Sequence, residues 1–323
     1  MRRINKYFVA ICAFLLILLI FNINITAKAI AIDDYDSYIV VDKSGSGDFT
    51  SIQQAVNYAN SGSTIYVKSG EYSEIIEIKK SLSLLGEDRD STLINPISEK
   101  NKYAICLGAS DIIVSGFTIT NEAPGLYPQG IKIVSDFTKI TECNIYNTPV
   151  GIAVWTDNNI IENCVFRGCK DEGIALLGSK HSPCDYNTIS NCVFYDNCDG
   201  IELQYSSYNT ISDCKLYQNS HSGIDAIASN NNENIISNCE IYDNNVHGLY
   251  LSSSKDNKIL NCLINNNQDG NIVTNRYSIN NQIINDELDE SLKNLKSFIN
   301  KIVGFLSELK TQRVQELLNR LSF

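Results

Sequence analysis

The chain has 323 residues, 43% of them hydrophobic, and its 37 acidic side chains outnumber 26 basic ones to give a formal net charge of −11. Nucleic-acid-binding surfaces depend on clustered lysine and arginine, so this charge excludes a nucleic-acid partner and disfavours an unassisted surface for anionic polymers. An acidic face could still hold calcium that bridges to an anionic sugar, but neither an EF-hand loop nor another dense aspartate array occurs. We therefore assign no metal ligands and no certain cofactor, and leave calcium open.

Residues 1–29 have the three parts of a signal peptide. Three basic side chains precede an apolar run from Tyr7 to Phe21, which is followed by the small-residue site Ala27-Lys28-Ala29. We expect cleavage after Ala29; the alternative is an uncleaved membrane anchor, for which the apolar run is somewhat short. Both interpretations predict an extracytoplasmic location for the rest of the chain, either secreted or at the cell surface.

Residues 30–103 are expected to form an N-terminal cap and the first coils of a repeat structure. The segment 51–59 is amphipathic and places Ile52, Ala55 and Val56 on one helical face. The end of a repeat structure exposes a cross-section of its core and unpaired strand edges to solvent. A helix that covers this end would bury these groups and stabilise the structure. We therefore predict an N-terminal capping helix.

Residues 104–285 repeat one pattern about seven times: Asn-x-Ile-x-(Asn/Asp)-Cys-x-(Ile/Phe)-Tyr-x-Asn, a gap, and Gly-(Ile/Leu)-x-(Leu/Val). Each cysteine precedes a glycine by eight or nine residues, whereas the distance from that glycine to the next cysteine varies between 13 and 19. This combination is typical of a solenoid, whose stacked strands stay in register while one loop per turn varies. The periodic cysteines are Cys143, Cys164, Cys192, Cys214, Cys239 and Cys262.

The apolar residues of each repeat alternate with polar ones at period two, which predicts short strands. In one repeat Ile189, Cys192 and Phe194 point inward on the two sides of a corner at Asn191. Asparagine tolerates the left-handed conformation of a tight corner, and Gly200 is expected to allow a second sharp bend. The same corner holds Asn163, Asp213, Asn238 and Asn261 in other repeats. Three strands per turn, each paired in parallel with its copy one coil away, describe an all-β, single-stranded, right-handed parallel β-helix.

All cysteines except Cys12 follow the predicted signal peptide, and in an exported protein disulfides are the usual expectation. The six periodic cysteines instead occupy one inward column, where parallel Cβ vectors suit disulfide geometry poorly and a thiol packs as a small hydrophobe. We predict a reduced, buried ladder. Cys169 and Cys198 lie outside the column in equivalent loops of adjacent coils, and are the best candidates for a bridge.

From Asp286 the pattern changes to apolar residues spaced alternately by four and three residues, with glutamate and lysine between them. This heptad pattern predicts an amphipathic C-terminal α-helix over residues 286–323. Two roles are left open. The helix folds back to cap the last coil, or it forms a coiled coil for self-association or for binding a surface partner.

Two segments of the sequence resemble known protein families. Residues 116–281 resemble the pectin-lyase-like β-helix superfamily, with repeats of the carbohydrate-binding and sugar-hydrolysis type; leucine-rich repeats of similar length would need Leu-x-x-Leu-x-Leu blocks, which are absent. Residues 45–74 resemble the opening of pectinesterases, Gly-x-Gly-Asp-(Phe/Tyr)-x-x-Ile-Gln-x-Ala-(Val/Ile) followed by Gly-x-Tyr-x-Glu. The pectinesterase catalytic motifs Gln-Asp-Thr-Leu, Asp-Phe-Ile-Phe-Gly and Leu-Gly-Arg-Pro-Trp do not occur, so no esterase residue is transferred.

In this superfamily sugar clefts form on an exposed strand face, which here is the strand after each repeated glycine. On this strand Glu202 and Asp225 project from neighbouring coils, which predicts carboxyl groups about 5 Å apart, near the separation used by retaining glycosidases. Like charges at that distance raise one pKa and so create an acid beside a base. We predict these two as the catalytic residues; the alternative is that they are solvated surface carboxylates.

The same face offers candidate substrate-binding residues. Trp155 is the only tryptophan of the chain. It would stack on a sugar ring if exposed, or else pack beneath the loop of residues 168–172. The other candidates on this face are Lys132, Gln204, Tyr250 and His247.

Comparison with other β-helix families leaves the function open. Residues 197–202 and 246–251 resemble two polygalacturonase motifs, but the Asp-Asp and Arg-Ile-Lys motifs expected on the other two coils are missing, and so is the arginine base of pectate lyases. Accessory β-helix proteins of copper insertion, the NosD type, share these repeats, yet the three histidines and one methionine form no evident copper cluster. A two-histidine site at His221 and His247 is a further alternative.

We therefore predict an exported β-helix protein that binds or processes an extracytoplasmic polysaccharide, with binding favoured over catalysis. For each enzyme family compared above, this sequence lacks catalytic residues that the family requires. The alternatives are a non-catalytic structural cell-surface protein, a NosD-like copper-insertion accessory protein, and an enzyme of the polygalacturonase or polysaccharide lyase kind.

Overall fold

The structure is a computed structural model that describes residues 38–96, 102–125 and 127–285. The predicted signal peptide, residues 1–29, and the predicted C-terminal helix, residues 286–323, lie outside these ranges. In chain order the described strands are β1 (Ile39–Val41), β2 (Thr64–Val67), β3 (Gly70–Tyr72), β4 (Ile76–Ile78), β5 (Leu82–Gly86), β6 (Thr92–Ile94), β7 (Tyr103–Leu107), β8 (Ile112–Ser115), β9 (Thr118–Ile119), β10 (Gln129–Ile133), β11 (Lys139–Thr141), β12 (Asn144–Tyr146), β13 (Val150–Val154), β14 (Ile160–Glu162), β15 (Val165–Arg167), β16 (Glu172–Leu177), β17 (Thr188–Ser190), β18 (Val193–Tyr195), β19 (Asp199–Gln204), β20 (Thr210–Ser212), β21 (Lys215–Tyr217), β22 (Ile224–Ile227), β23 (Ile235–Ser237), β24 (Glu240–Tyr242), β25 (His247–Leu251), β26 (Lys258–Leu260), β27 (Leu263–Asn265), β28 (Gly270–Thr274) and β29 (Gln282–Ile284).

These strands stack into three parallel sheets. Sheet A has the order β1-β2-β5-β8-β11-β14-β17-β20-β23-β26-β29, sheet B the order β3-β6-β9-β12-β15-β18-β21-β24-β27, and sheet C the order β4-β7-β10-β13-β16-β19-β22-β25-β28. Each strand pairs with its copies in the coils before and after it; Ile201, for example, pairs with Ile174 and with Ile224. The described chain is therefore an all-β parallel solenoid of about ten turns, which confirms the predicted architecture.

One α-helix, α1 (Ile52–Tyr58), packs against β1, β2 and β4. Ser51 is its N-cap and accepts a hydrogen bond from the Gln54 backbone N–H. The Glu74 carboxylate accepts two more first-turn N–H groups, from Ile52 at 2.8 Å and from Gln53 at 3.0 Å. A helix thus lies inside the segment for which one was predicted, and its role as a cap stays a prediction.

The corners of the solenoid have the predicted conformation. Ile189, Cys192 and Phe194 are buried. The corner residues before the periodic cysteines have positive φ, between 51° and 55°, because asparagine and aspartate tolerate the left-handed region. Five of them are Asn163, Asn191, Asp213, Asn238 and Asn261, and the sixth, before Cys143, is Glu142 with a φ of 51°.

The six periodic cysteines form the predicted inward column of free thiols, although Cys262 in the last coil is only half-buried. Each thiol donates to the carbonyl two residues earlier, at 3.1 to 3.4 Å, which satisfies a backbone acceptor at the corner. The predicted bridge is wrong, since Cys169 and Cys198 are also free. They stack in register, with the Cys198 N–H on the Cys169 carbonyl at 3.1 Å, and parallel side chains suit a disulfide poorly.

The repeated glycines are needed for a reason other than the predicted one. Gly200 does not have a left-handed φ, so it does not make the sharp bend expected of it. A Cβ atom at this position would lie 2.5 Å from the carbonyl oxygen of Gly223 and 2.9 Å from Cδ2 of Leu216. The column therefore holds glycine because successive coils approach too closely for a side chain.

Two ladders of buried asparagines run along the solenoid. In each step the side-chain oxygen of one asparagine accepts the backbone N–H of its equivalent in the coil before, at 2.7 to 3.1 Å. These bonds satisfy backbone groups at corners, where sheet pairing is interrupted. The first ladder is Asn159, Asn187, Asn209, Asn234, Asn257 and Asn281, and the second is Asn197, Asn219, Asn244 and Asn267.

Candidate functional site

Sheet C carries all of the predicted site residues on its outer surface. Glu202 pairs in register with Ala175 on one side and with Asp225 on the other, and Asp225 pairs with Tyr250. Lys132 belongs to the same column, three coils before Glu202. The neighbouring column holds Trp155, Leu177, Gln204 and Ile227.

The predicted exposure of this surface is wrong in part. Ala153, Ala175 and Asp225 point away from the solenoid core but are 1%, 1% and 4% exposed. The two alanines lie under Trp155 and Leu177 in a small apolar cluster separate from the core. Large flanking side chains thus cover the small ones, and a groove replaces the expected flat face.

Glu202 and Asp225 are neighbours on adjacent coils, as the repeat predicts. Burial, with a smaller contribution from the nearby Asp199 carboxylate, raises the pKa of Asp225 to about 7. Burial also raises the pKa of Glu202, which is half-buried and therefore reachable from solvent. Both groups thus titrate near neutrality, as an acid–base pair requires.

Glu172, a residue that the sequence did not single out, joins the pair from the preceding coil. It is 7% exposed, and burial together with the Glu202 charge raises its pKa to about 9. At neutral pH this carboxyl holds a proton and can donate a hydrogen bond to Glu202. Three carboxyl groups on successive coils therefore share the site.

Asp199, His221 and Asp225 form a second group beside these carboxyls. His221 Nδ1 lies 2.8 Å from Asp199 Oδ1 and 3.5 Å from Asp225 Oδ2. The Ser222 backbone N–H also donates to Asp199 Oδ1, at 2.7 Å. One ligand atom from each of the three residues lies within 4.8 Å of the others, so these residues could hold a metal ion.

Two buried polar atoms near this group, Asp225 Oδ1 and His247 Nδ1, have no hydrogen-bond partner among the described residues. The His247 ring stacks on Tyr250 at 5.1 Å and meets the His221 ring edge-on at 6.3 Å. Burial lowers the pKa of His247. A buried polar atom without a hydrogen-bond partner destabilises the fold unless a ligand or a water molecule supplies the missing interaction.

Trp155 lines a groove of about 320 Å³ together with Leu177, Gly178, Ser179, Ser182 and Gln204. The tryptophan is half-buried, and Lys132 Nζ lies 5.0 Å from its ring centroid. Trp155 and Gln204 therefore belong to one groove, as their proposed common role requires. The lysine contacts the ring and not the carboxyl group cluster.

The residues missed by the sequence interpretation share one position, immediately before the repeated glycine. Glu172 and Asp199 occupy it and pair in register, and the predicted residue His247 occupies the same position in a later coil. This position falls in the gap between the two recurring parts of the repeat pattern, although each of these residues is the first of its strand. Its distance of one residue from each glycine is the sequence signal that identifies it.

We expect Glu172→Gln to remove a pH dependence of stability. The folded-state pKa of Glu172 lies near 9 and its ordinary value at 4.5, so the folded state keeps a proton that the unfolded state loses. Stability should therefore fall as pH rises from about 4.5 to about 9, by at most about 1.4 kcal/mol per pH unit, and the variant should lose this slope. Urea midpoints between pH 4 and pH 9, with a chelator present, measure it.

Glu240→Gln is the control for this measurement, since Glu240 is an exposed carboxylate on sheet B that pairs with Lys215 at 3.2 Å. It should retain the wild-type slope. An equal slope in wild type, Glu172→Gln and Glu240→Gln would contradict the buried, protonated state of Glu172.

None of the described helices is long and apolar enough to span a membrane.

Comparison with known proteins agrees with the observed coils. The family described as the right handed beta helix region matches residues 83–207 and 129–288. A probable pectinesterase/pectinesterase inhibitor 6 of Arabidopsis thaliana is 30% identical over 151 residues, which are 41% of this chain and 27% of that protein. Probable pectinesterase 56 of the same plant is 27% identical over 149 residues, 41% of this chain and 52% of that protein. The chain thus spans about a quarter to a half of these relatives.

Among solved structures, the A-module of the Azotobacter vinelandii mannuronan C-5 epimerase AlgE4 has a TM-score of 0.58 and 17% identity, covering 72% of this chain and 81% of that module. An alginate lyase from Paenibacillus sp. has a TM-score of 0.51 and 12% identity, covering 70% of this chain and 95% of the lyase. At these identities the likeness shows the fold alone. With the family match extending over more than half of its length, the chain belongs to the right-handed β-helix family.

Proposed function

We propose that the outer surface of sheet C binds a polysaccharide and cleaves it by acid–base chemistry, with Glu202 as the proton donor. The observation that carries the proposal is the in-register placement of Glu202 beside Asp225, next to the groove that contains Trp155 and Gln204. A half-buried carboxyl beside an aromatic wall is suited to protonate a glycosidic oxygen. The relatives named as pectinesterases support a polysaccharide as the ligand.

In this mechanism the sugar lies across β16, β19 and β22. Trp155 covers the apolar face of one ring, and Gln204 accepts or donates a hydrogen bond to its hydroxyl groups. Glu202 protonates the leaving oxygen, while Asp225 on the next coil accepts a proton from the attacking water or itself attacks the anomeric carbon. Neighbouring strands lie about 4.8 Å apart, which favours the shorter carboxyl separation of retaining enzymes.

Hydrolysis is favoured over elimination because the cluster is made of carboxyl groups. A carboxylic acid beside a second carboxyl group on the adjacent coil is the pair that glycoside hydrolysis uses. Glu202 and Asp225 supply this pair, and Glu172 and Asp199 are further carboxyl groups beside them.

The test is the release of reducing ends from a panel of plant, bacterial and algal polysaccharides. Glu202→Gln should reduce the rate by at least about 100-fold, the usual contribution of a positioned acid, and leave binding unchanged. Trp155→Ala should weaken binding, and the control Glu240→Gln should change neither quantity. Wild-type rates in Glu202→Gln would contradict the assigned proton donor, and products with the ultraviolet absorbance of an unsaturated uronate would show elimination.

A second candidate is binding without cleavage. It is favoured by the burial of Asp225, which is only 4% exposed and so is hard for a sugar to reach. In this case Trp155→Ala would weaken binding while no reducing ends appear in any variant.

We further propose that the protein acts outside the cytoplasm, as residues 1–29 predict, and that helix α1 caps the first coil. Residues 286–323 are proposed to cap the last coil or to mediate self-association. These three proposals rest on the sequence patterns.

A further inference from the structure

Asp199 is the first residue of β19, Asp225 lies in β22, and His221 lies in the loop between β21 and β22. The three residues form a group beside Glu202, the proposed proton donor, which is not part of it. Asp199 and Asp225 are 6% and 4% exposed, so both carboxyl groups are removed from bulk water. Their nearest described cationic side chain is His221, whose Nδ1 contacts both. Two buried carboxylates with one shared partner need additional positive charge.

The unpartnered Asp225 Oδ1 is an independent sign of a missing ligand. It belongs to a side chain that is more than nine-tenths buried, its other oxygen lies 3.5 Å from His221, and no described residue donates to it. A buried carboxylate with an unpartnered oxygen is unfavourable, and a metal ion held through Oδ2 would offset the cost of burying this charge.

The distances suit a small, tetrahedral ion. Ligands about 2.0 to 2.2 Å from a tetrahedral zinc ion lie roughly 3.4 Å from one another. His221 Nδ1 and Asp225 Oδ2 are 3.5 Å apart. The 2.8 Å contact between His221 Nδ1 and Asp199 Oδ1 is a hydrogen bond that an ion would replace, which requires these atoms to separate by a few tenths of an ångström.

The donor set also decides between metals. One imidazole nitrogen and two carboxylates form a mixed set of the kind zinc accepts, whereas calcium takes six to eight oxygen ligands. The Asp199 carboxylate is held by the Ser222 backbone N–H at 2.7 Å, so one ligand is already oriented.

We propose that Asp199, His221 and Asp225 bind one zinc ion, with the fourth position open to water. The sequence interpretation assigned no metal ligands because the three residues are separated by 22 and 4 positions and fit no metal motif. The solenoid brings them together because one coil is about that long. Asp225 is shared with the proposed cleavage site, so zinc binding is measured without a sugar, and its failure would leave the cleavage proposal standing.

The test is calorimetric titration of the full chain, without a histidine tag, with zinc chloride alone. Wild type should bind one ion per chain, and Asp225→Asn and His221→Gln should each weaken binding by at least about tenfold. His181→Gln is the matched control, because His181 is exposed and is not one of the three proposed ligands, and it should bind as wild type does. Asn at position 225 removes a buried charge, so this variant should fold.

Two further measurements separate the site from the thiols of the chain. Zinc should raise the melting temperature of wild type and not that of Asp225→Asn, although both contain the same cysteines. Cobalt bound in place of zinc should lack the strong absorbance of a metal–thiolate bond. Equal zinc affinity in wild type, Asp225→Asn and His221→Gln would overturn the proposal. So would the absence of saturable binding.

Discussion

Gly200→Ala should destabilise the protein by about 3 kcal/mol, at the upper end of the cost of overpacking a core. The new Cβ would lie 2.5 Å from the Gly223 carbonyl oxygen. This oxygen accepts the Ile201 N–H at 3.0 Å, so it cannot move away without breaking a hydrogen bond between coils. The solenoid repeats the same close approach along the column, so relaxation in one coil would displace the next. A urea unfolding curve followed by circular dichroism measures the loss.

Gly108→Ala is the matched control for this experiment. Its Cβ would meet the Ile78 carbonyl oxygen at 3.6 Å and Lys79 Cγ at 3.9 Å, which are ordinary van der Waals distances. Its free energy of unfolding should lie within about 0.5 kcal/mol of the wild-type value, the usual range for substitutions that disturb no packed or hydrogen-bonded group. Equal midpoints for Gly200→Ala and Gly108→Ala would contradict the packing of successive coils described above.

Asn244→Ala should cost about 3 kcal/mol, because it interrupts an asparagine ladder at a buried position. The Asn244 side-chain oxygen accepts the backbone N–H of Asn219 at 3.1 Å and its side-chain NH2 at 2.9 Å. Its own NH2 donates to the Leu216 carbonyl at 3.2 Å and to Asn267 Oδ1 at 2.8 Å. Alanine leaves several of these groups unsatisfied, and each buried unsatisfied group costs about 1 to 3 kcal/mol.

The adjacent Asn245 provides the control. Its side chain is exposed, so Asn245→Ala should change stability by no more than about 0.5 kcal/mol. The two variants remove the same side chain from neighbouring residues, and their difference therefore isolates the ladder. A loss in Asn244→Ala no greater than that in Asn245→Ala would show that the ladder does not stabilise the corners.

The fold could be predicted from the sequence because two local signals agree. The period-two alternation placed Ile189, Cys192 and Phe194 inside, and the left-handed preference of asparagine placed Asn191 at a corner. Both signals depend on a single residue and its neighbours. Interactions between coils could not be predicted in the same way: the first and last asparagines of the repeat were recognised as recurring, but their hydrogen bonds to the next coil were not.

For the candidate site, only the pairing of residues between adjacent coils could be predicted from the sequence. The repeat length placed Glu202 beside Asp225, and the sheet confirms that pairing. Exposure was not predictable, because it depends on contacts between coils, such as the packing of Ala153 and Ala175 with Trp155 and Leu177. Glu172 and Asp199 were missed since they fall in the gap between the two recurring parts of the repeat pattern, although pairing with the next coil begins at these residues. The groove beside Trp155 likewise depends on residues 178–182, whose loop length varies between repeats.

The most direct test of the proposed function is a crystal structure of the Glu202→Gln variant with an oligosaccharide that the polysaccharide panel identifies. The variant should bind this ligand without cleaving it. We expect sugar rings across β16, β19 and β22, with one ring against Trp155 and a glycosidic oxygen within hydrogen-bond distance of residue 202. An oligosaccharide bound on sheet A or sheet B, with sheet C empty, would contradict the account.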